Sequence, residues 1–336
     1  MRSGPLVDGV LPILAAENVA VHFPLGRRGE TLKAVDGVSF TVARGEIFGL
    51  IGESGSGKST LGRAVVCIQR LSGGILRHDE LEPFRLPRLA LRRHRRRFQM
   101  VFQDPHAALN PRRTIGASLR EPLDIAGEGT PATRAARVAS LLDAVELPVS
   151  LLRSHPHELS GGQKQRVNIA RALVLAPTLL VCDEIVSALD PSVQAGILNL
   201  LVDLQRQFNL SLIFITHDLG VVGHISDRIA VMYLGRLMEL GPAEALMAAP
   251  LHPYTAALLA AEPRLATSAR SRRQALAGEM PSPVAPPSGC RFRTRCSKAD
   301  ARCAAEPPAW RELAPGHFVA CHYAKSPQPL AATKEG

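Results

Sequence analysis

The chain has 336 residues, 46% of them hydrophobic, which is enough for one large domain with a small appendage. One Trp and three Tyr leave few platforms for stacking on bases, and no apolar stretch reaches the roughly 18 residues that a bilayer crossing needs. The formal net charge of +10 is concentrated, with seven Arg and no acid between Arg85 and Arg97. That run reads as a solvated face or as a surface for anionic headgroups or an acidic partner, and no base-reading motif accompanies it.

In chain order, residues 13 to 50 read as β-rich. Val19 to Phe23 and Val38 to Val42 are apolar or alternating, and turn residues separate them at Gly26 to Glu30 and Arg44 to Glu46. Glu46 to Ile51 is a short strand ending in a Gly-rich loop, with a helix expected from Lys58. Residues 72 to 97 read as irregular. Residues 112 to 176 read as helical, with breaks at Gly127 to Pro131 and near Pro156. Leu179 to Cys182 is a short buried strand. Asp190 then caps a helix that begins at Pro191, whose apolar face is expected to be Val193, Ile197, Leu200, Leu201, Leu204 and Phe208. Leu212 to Ile215 is another buried strand. Strands alternating with helices imply a mainly parallel α/β sheet covered on both sides. Pro281, Pro283, Pro286 and Pro287 mark a linker into a small loop-rich appendage that holds four of the six cysteines.

The N-terminus has no sustained apolar core before a cleavage site. A cytosolic chain is therefore expected, with any membrane crossing left to another subunit. Cys67 and Cys182 sit in apolar runs, as buried structural cysteines do.

Gly52-Glu53-Ser54-Gly55-Ser56-Gly57-Lys58-Ser59 matches the P-loop pattern between a strand and a helix. Glycines let backbone N–H groups turn in around phosphate oxygens, and the helix N-terminus adds positive potential. Lys58 is expected at the β- and γ-phosphates, Thr60 beside the nucleotide, and the Ser59 hydroxyl on Mg²⁺. Leu179 to Glu184 is an apolar strand ending in two acids, at the edge where parallel sheets bind ligands. Asp183 is expected to hold Mg²⁺ and Glu184 to act as general base on the attacking water.

Leu159-Ser160-Gly161-Gly162-Gln163 resembles the signature sequence of ABC ATPases. A Ser hydroxyl, Gly N–H groups and a helix N-terminus make a second anion site. The resemblance implies that Ser160, Gly161, Gly162 and Gln163 serve the ATP of a partner ATPase packed head to tail. It also implies adenine stacking by Phe23, sensing of Mg²⁺ and coupling to a membrane subunit by Gln103, partner contact by Ser187 to Asp190, and a γ-phosphate contact by His217. The implied fold is a P-loop NTPase core with an antiparallel β subdomain, a helical subdomain and a small Cys-rich C-terminal extension. The expected limits are 12–263 for the ATPase domain, about 104–176 for the helical subdomain, 264–325 for the extension and 326–336 for a disordered tail.

His155 to Glu158, Val101 to Pro111, Pro250 to Thr255, Pro281 to Pro283 and Gly289 to Cys296 resemble the oligopeptide and dipeptide importer branch, and its F-type subunit in particular. That branch implies ATP and Mg²⁺ as cofactor set, a second and different ATPase chain, two membrane permease subunits, a solute-binding protein, no nucleic acid, and a place on the cytoplasmic face of the inner membrane. A nickel, metallophore or other small-solute transporter is the alternative. Two departures stand out. Ile185 follows the catalytic Glu where relatives have Pro, and Gln69 to Leu91 does not follow the family pattern.

Cys290, Cys296, Cys303 and Cys321 are separated by five, six and seventeen residues, without the tight pairs of zinc ribbons. Four thiolates suit a [4Fe–4S] cluster, which similar subunits carry, ahead of zinc or idle thiols.

Overall fold

The computed structural model describes residues 11–26, 29–105, 107–187, 189–261 and 278–326. The chain divides into two compact units. The first comprises residues up to Val21, Asp36–Phe48 and Lys58–Thr216, and the second His22–Val35, Gly49–Gly57 and His217 onward. The expected linker start at 264 and the expected tail beyond 326 lie outside the described residues.

Strands β1 (Leu14–Leu25) and β2 (Glu30–Val42) each pass from one unit into the other. Strand β3 (Ile47–Ile51) does the same and is buried along its whole length. Helix α1 (Lys58–Val65) follows the P-loop. Strand β4 (Gly73–His78) then pairs antiparallel with β1, Leu14 opposite His78 and Glu17 opposite Ile75, in a sheet of order β2-β1-β4. The register slips between Glu17 and Ala20, where Asn18 takes a left-handed φ of 49° and its N–H donates to Ser39 Oγ at 2.8 Å. Asn tolerates that conformation, and the bulge it makes bends the strand.

Residues 72–97 are therefore not irregular. They contain β4 and helix α2 (Arg88–His94), and they lead into β5 (Phe98–Val101). Short-range pattern failed here because β4 gains its stability from antiparallel pairing with residues about sixty positions away.

The helical stretch consists of α3 (Ile115–Ala126), α4 (Pro131–Ala144) and α5 (Gly161–Leu173). Each has a side-chain N-cap, supplied by Thr114, Thr130 and Ser160. Gly127 at φ 70° ends α3 and Pro131 opens α4, and α4 and α5 are separated by short 3-10 turns including Pro156–Glu158, so both expected breaks are found.

Strand β6 (Leu179–Asp183), helix α6 (Pro191–Phe208) and strand β7 (Ser211–Thr216) complete the first unit. Its sheet runs β3-β7-β6-β5. β5 and β6 are parallel with Phe98 opposite Leu179, and β6 and β7 are parallel with Leu179 opposite Ser211. β6 and β7 are buried throughout, without alternation, as a parallel sheet covered on both faces requires. The buried face of α6 is narrower than expected. Ile197, Leu200, Leu201 and Leu204 are buried, whereas Val193 and Phe208 are exposed. Both lie in the terminal turns, where helical spacing continues but there is no sheet surface to cover.

The second unit carries α7 (Leu219–Ile225) and the hairpin β8 (Arg228–Tyr233) and β9 (Arg236–Pro242). Leu234 and Gly235 join the hairpin with φ of 43° and 79°, the sign pattern of a two-residue turn matched to strand twist. Helices α8 (Ala243–Ala248), α9 (Pro253–Ala261) and α10 (Ala301–Ala305) follow, then β10 (Arg311–Ala314) and β11 (His317–Val319).

The appendage is thus more than loops. β11 pairs antiparallel with β9, Phe318 opposite Leu240, giving the order β10-β11-β9-β8-β3. The join is fixed by Glu239, which is fully buried. Its carboxylate lies 2.8 Å from His317 Nε2 and accepts the N–H groups of Leu251 at 2.8 Å and His252 at 2.9 Å. Three partners offset the cost of burying a carboxylate. Among the described residues no helix is long and apolar enough to cross a membrane.

Candidate functional site

In the second unit the P-loop leaves β3 as Gly52 to Gly57. Two glycines are required by close backbone approach. At Gly52 (φ +152°) a Cβ would come within 2.1 Å of Met232 O, and at Gly57 (φ +105°) within 2.0 Å of Ala34 O. Only a residue without Cβ fits either place. Ser56 is fully buried and its carbonyl accepts the Gly235 N–H at 2.8 Å, so the β8–β9 turn holds the loop from one side. Ser54 and Gly55 are exposed at the tip. Phe23 is half-buried on β1. His217 is exposed immediately after β7, beside Asp218, which caps α7 by accepting the Val221 N–H at 3.0 Å.

In the first unit the loop continues into α1, where Lys58 is buried and Ser59 and Thr60 are half-buried. Ser59 Oγ donates to Asp183 Oδ1 at 2.8 Å, joining the start of α1 to the end of β6. Burial raises the Asp183 pKa, the Ser59 hydrogen bond opposes this, and the neighbouring Glu184 charge adds to it. A buried carboxylate beside a hydroxyl is the hard-oxygen donor pair that Mg²⁺ takes.

Glu184 has a φ of 49°, a left-handed conformation that costs a non-Gly residue about 1 kcal/mol or more. Its N–H donates to Ile215 O at 2.9 Å, and its carbonyl accepts the Ser187 hydroxyl at 2.9 Å. The side chain is met by Gln103, whose Nε2 donates to Glu184 Oε2 at 3.0 Å. Ile185 and Val186 are buried. The missing Pro is thus replaced by an apolar anchor, while the Ser187 hydroxyl closes the turn. Ala188, within the expected partner-contact loop, lies outside the described residues.

The signature forms the N-terminus of α5. Ser160 Oγ accepts the Gln163 N–H at 3.3 Å and Gln163 Oε1 accepts the Ser160 N–H at 2.9 Å, a reciprocal capping box. Gly161 is exposed and Gly162 half-buried, with a helix terminus facing outward between them. One turn further along, residues that the motif reading missed tie α5 to the segment after Gln103. The buried Asn168 donates from Nδ2 to Pro105 O at 3.2 Å. Arg171 donates from Nη1 to Ala108 O at 2.7 Å and pairs with Glu121 at 2.8 Å. Polar residues three apart on a helix with a buried face were the available signal.

In the second unit Cys290, Cys296, Cys303 and Cys321 all line one small cavity, with Phe292, His322 and Tyr323. The Cys290 N–H donates to Cys303 O at 2.8 Å. Burial pushes the Cys290 thiol up to about 11, and the other three cysteines add to the rise. Four soft donors around one cavity have the chemistry of a metal–sulfur site. Among the described residues, however, no three His, Cys, Asp or Glu side chains are arranged to hold a single ion. Cys67 and Cys182 are buried with thiol pKa values raised by burial, as expected of inert structural cysteines.

A loop running from a strand into a helix, with glycines at Gly52 and Gly57 that no residue with a Cβ could replace, defines a P-loop nucleotide-binding protein. Comparison with known proteins narrows this. Residues 35–187 match the family model described as ABC transporter, and residues 238–303 match the one described as oligopeptide/dipeptide transporter, C-terminal region. A Brucella ovis protein named "Putative peptide import ATP-binding protein" is 51% identical over 310 residues, covering 92% of this chain and 97% of that one. A Brucella abortus protein of the same description is 50% identical, covering 96% and 97%. Among solved structures, cbiO1 of Clostridium perfringens, part of the ABC transporter complex cbiONQ, superimposes with a TM-score of 0.64 at 28% identity, covering 71% of this chain and 91% of that one. The cassette MJ0796, a dimer bound to ADP and Pi, gives 0.62 at 29%, covering 68% and 98%. The chain belongs to the ATP-binding proteins of the ABC transporter family, and its activity is that of an ABC ATPase.

Proposed function

We propose that this chain is the F-type ATP-hydrolysing subunit of an importer that carries dipeptides or oligopeptides across a bacterial inner membrane. The observation that carries the cargo class is the match of residues 238–303 to the oligopeptide/dipeptide transporter C-terminal region, alongside half-identical relatives named for peptide import. The domain limits follow this reading, with the ATPase domain over 12–263, its helical subdomain near 104–176, and the extension over 264–325.

In this mechanism Phe23 stacks on adenine, and the N–H groups of Gly52, Ser54, Gly55, Ser56 and Gly57, with Lys58 and Thr60, hold the phosphates. Ser59, Asp183 and Gln103 would supply oxygen ligands to Mg²⁺, which when bound would offset charge on the phosphates. Glu184, oriented by Gln103, takes the proton of the attacking water, and His217 contacts the γ-phosphate. Ser160 to Gln163 present the capped α5 N-terminus to the ATP of a second, different ATPase chain. Asn168 and Arg171 then carry movement of that helix to the Gln103 segment, where a permease docks. Two permease subunits and a solute-binding protein complete the assembly on the cytoplasmic face of the membrane.

The four cysteines of the extension hold a [4Fe–4S] cluster in this reading. Their shared cavity and soft donor set favour it. Iron and labile sulfide in anaerobically purified protein, in place of stoichiometric zinc, are the expected result.

Uptake of labelled di- and oligopeptides in cells lacking the gene tests the cargo. Wild type restores uptake and Glu184→Gln does not. Uptake untouched by the deletion, in cells without a second importer, would redirect the cargo to nickel or a metallophore.

A further inference from the structure

The extension does more than extend the sheet; one of its arginines reaches the P-loop and another reaches the β8–β9 turn that holds it. Arg295 has a side chain only 6% exposed and pairs in bidentate fashion with Glu53, its Nη1 lying 3.0 and 2.9 Å from the two carboxylate oxygens. Glu53 is the second residue of the P-loop. Its own N–H is engaged elsewhere, donating to Tyr254 Oη at 2.9 Å. Tyr254 is fully buried, and its ring packs on Tyr233 and Phe292 at centroid distances of 4.8 and 5.2 Å. The Arg295 guanidinium lies 5.9 Å from the Tyr233 ring centroid.

A second contact runs in parallel. Arg291, also buried, donates from Nη1 to the carbonyl of Leu234. Leu234 begins the β8–β9 turn, and the next residue, Gly235, donates to Ser56 O at 2.8 Å. Both ends of the Glu53-to-Ser56 bend are therefore gripped. The bend itself is closed by the Ser56 N–H, which donates to Glu53 O at 3.2 Å.

We propose that Arg291 and Arg295 of the C-terminal extension are positioning residues of the nucleotide site, holding the P-loop in its phosphate-accepting shape through Leu234–Gly235 and through Glu53. The inference rests on the ATP-binding role given above. A loop whose N–H groups must converge on phosphate gains affinity when its shape is set before binding, because less ordering is left to be done on binding. Glu53 contributes neither N–H nor carboxylate to phosphate. Arg291 and Arg295 each adjoin in sequence a cysteine of the four-Cys cavity.

The test is equilibrium binding of a fluorescent ATP analogue with Mg²⁺ to the full chain, together with the thermal midpoint without nucleotide. Variants are Arg295→Ala, Arg295→Lys, Glu53→Gln and the double Arg295→Ala/Glu53→Gln. Arg295→Ala and Glu53→Gln are each expected to weaken binding about tenfold, as loss of one partner of a part-buried pair that shapes the loop does. The double variant is expected to be no weaker than the worse single one, since both remove the same interaction. Arg295→Lys keeps the charge and regains part of the affinity. In ATPase assays the KM for ATP rises while kcat at saturation is nearly kept. If Arg295→Ala does not fold, Glu53→Gln decides. Affinity equal to wild type in a folded variant overturns the proposal, as does a double variant whose loss is the product of the two single losses. Failure of the wild-type chain to bind the analogue overturns the nucleotide reading itself, and this proposal with it.

Discussion

Gln103 Nε2 donates to Glu184 Oε2 at 3.0 Å, so the residue expected to sense Mg²⁺ holds the residue expected to activate water. The backbone of Glu184 is at the same time held at a φ of 49°. Strain and hydrogen bond together restrict where the carboxylate can point, which is what a general base acting on one water needs. Glu184→Gln keeps the shape and loses the base. Nucleotide affinity should stay near wild type while phosphate release falls by about 10²- to 10⁴-fold. Gln103→Ala leaves the base in place but frees its carboxylate, and a milder loss of about tenfold in turnover is expected.

Asp183 gives a prediction with opposite signs in the empty and loaded protein. Its pKa is raised, first by burial and then by the Glu184 charge, so the fold favours its protonated form. That contribution to stability is present at low pH and is lost as pH rises through the raised pKa. At neutral pH the charged carboxylate therefore weighs against the nucleotide-free fold. Asp183→Asn keeps an acceptor for the Ser59 hydroxyl and should raise the nucleotide-free thermal midpoint. It should also abolish the extra stabilisation that Mg²⁺ adds to ATP. Thermal scans with ATP in Mg²⁺ and in EDTA read both effects.

His78 makes the first unit acid-sensitive. Its Nδ1 lies 2.8 Å from His94 Nε2, and its ring stacks on Phe98 with centroids 3.6 Å apart. Burial, followed by the His94 charge, lowers its pKa from 6.5 to about 3. His94 is lowered as well, by burial and by Arg97, with Asp79 opposing. A depressed pKa means stability that is full above the unfolded value and lost as pH falls toward the folded one. Between pH 6.5 and about pH 5 the loss from one such group is about 2 kcal/mol, read from urea midpoints. His78→Phe should flatten that slope.

Asn168 binds the signature helix to the segment that follows Gln103 through a buried hydrogen bond to Pro105 O. Asn168→Ala leaves that carbonyl without its donor and should cost about 1–3 kcal/mol in urea unfolding. Stimulation of the ATPase by permease subunits should fall more than the ATPase of the isolated chain, because the helix would be uncoupled from the docking segment.

Much of the site could be read without coordinates because its residues are close in sequence and its chemistry is local. The P-loop glycines, Lys58, Ser59 and the capped helix at Ser160 are each defined by a strand-loop-helix or loop-helix transition within a few positions. Ser59 and Asp183, each expected at Mg²⁺, begin and end two such local units, and their hydrogen bond was seen only in the fold. Strand β4 was not legible, since residues 72–97 carry no period of their own and β4 takes its order from β1. The ends of the apolar face of α6 were misjudged for a related reason. Periodicity says which residues share a face, but not how far the opposing surface reaches, and so Val193 and Phe208 are exposed.

By itself, then, the sequence determined the class of chemistry and the strand-loop-helix and loop-helix units that carry it. These depend on backbone conformations and donor sets that only certain residues at short spacing can supply. Tertiary structure alone decided that Gln103 holds Glu184, that Glu239 receives His317, and that Arg295 reaches Glu53 across more than two hundred residues. Contacts between residues so far apart leave no periodic trace in a sequence. They exist only where folding has brought both groups within hydrogen-bonding distance.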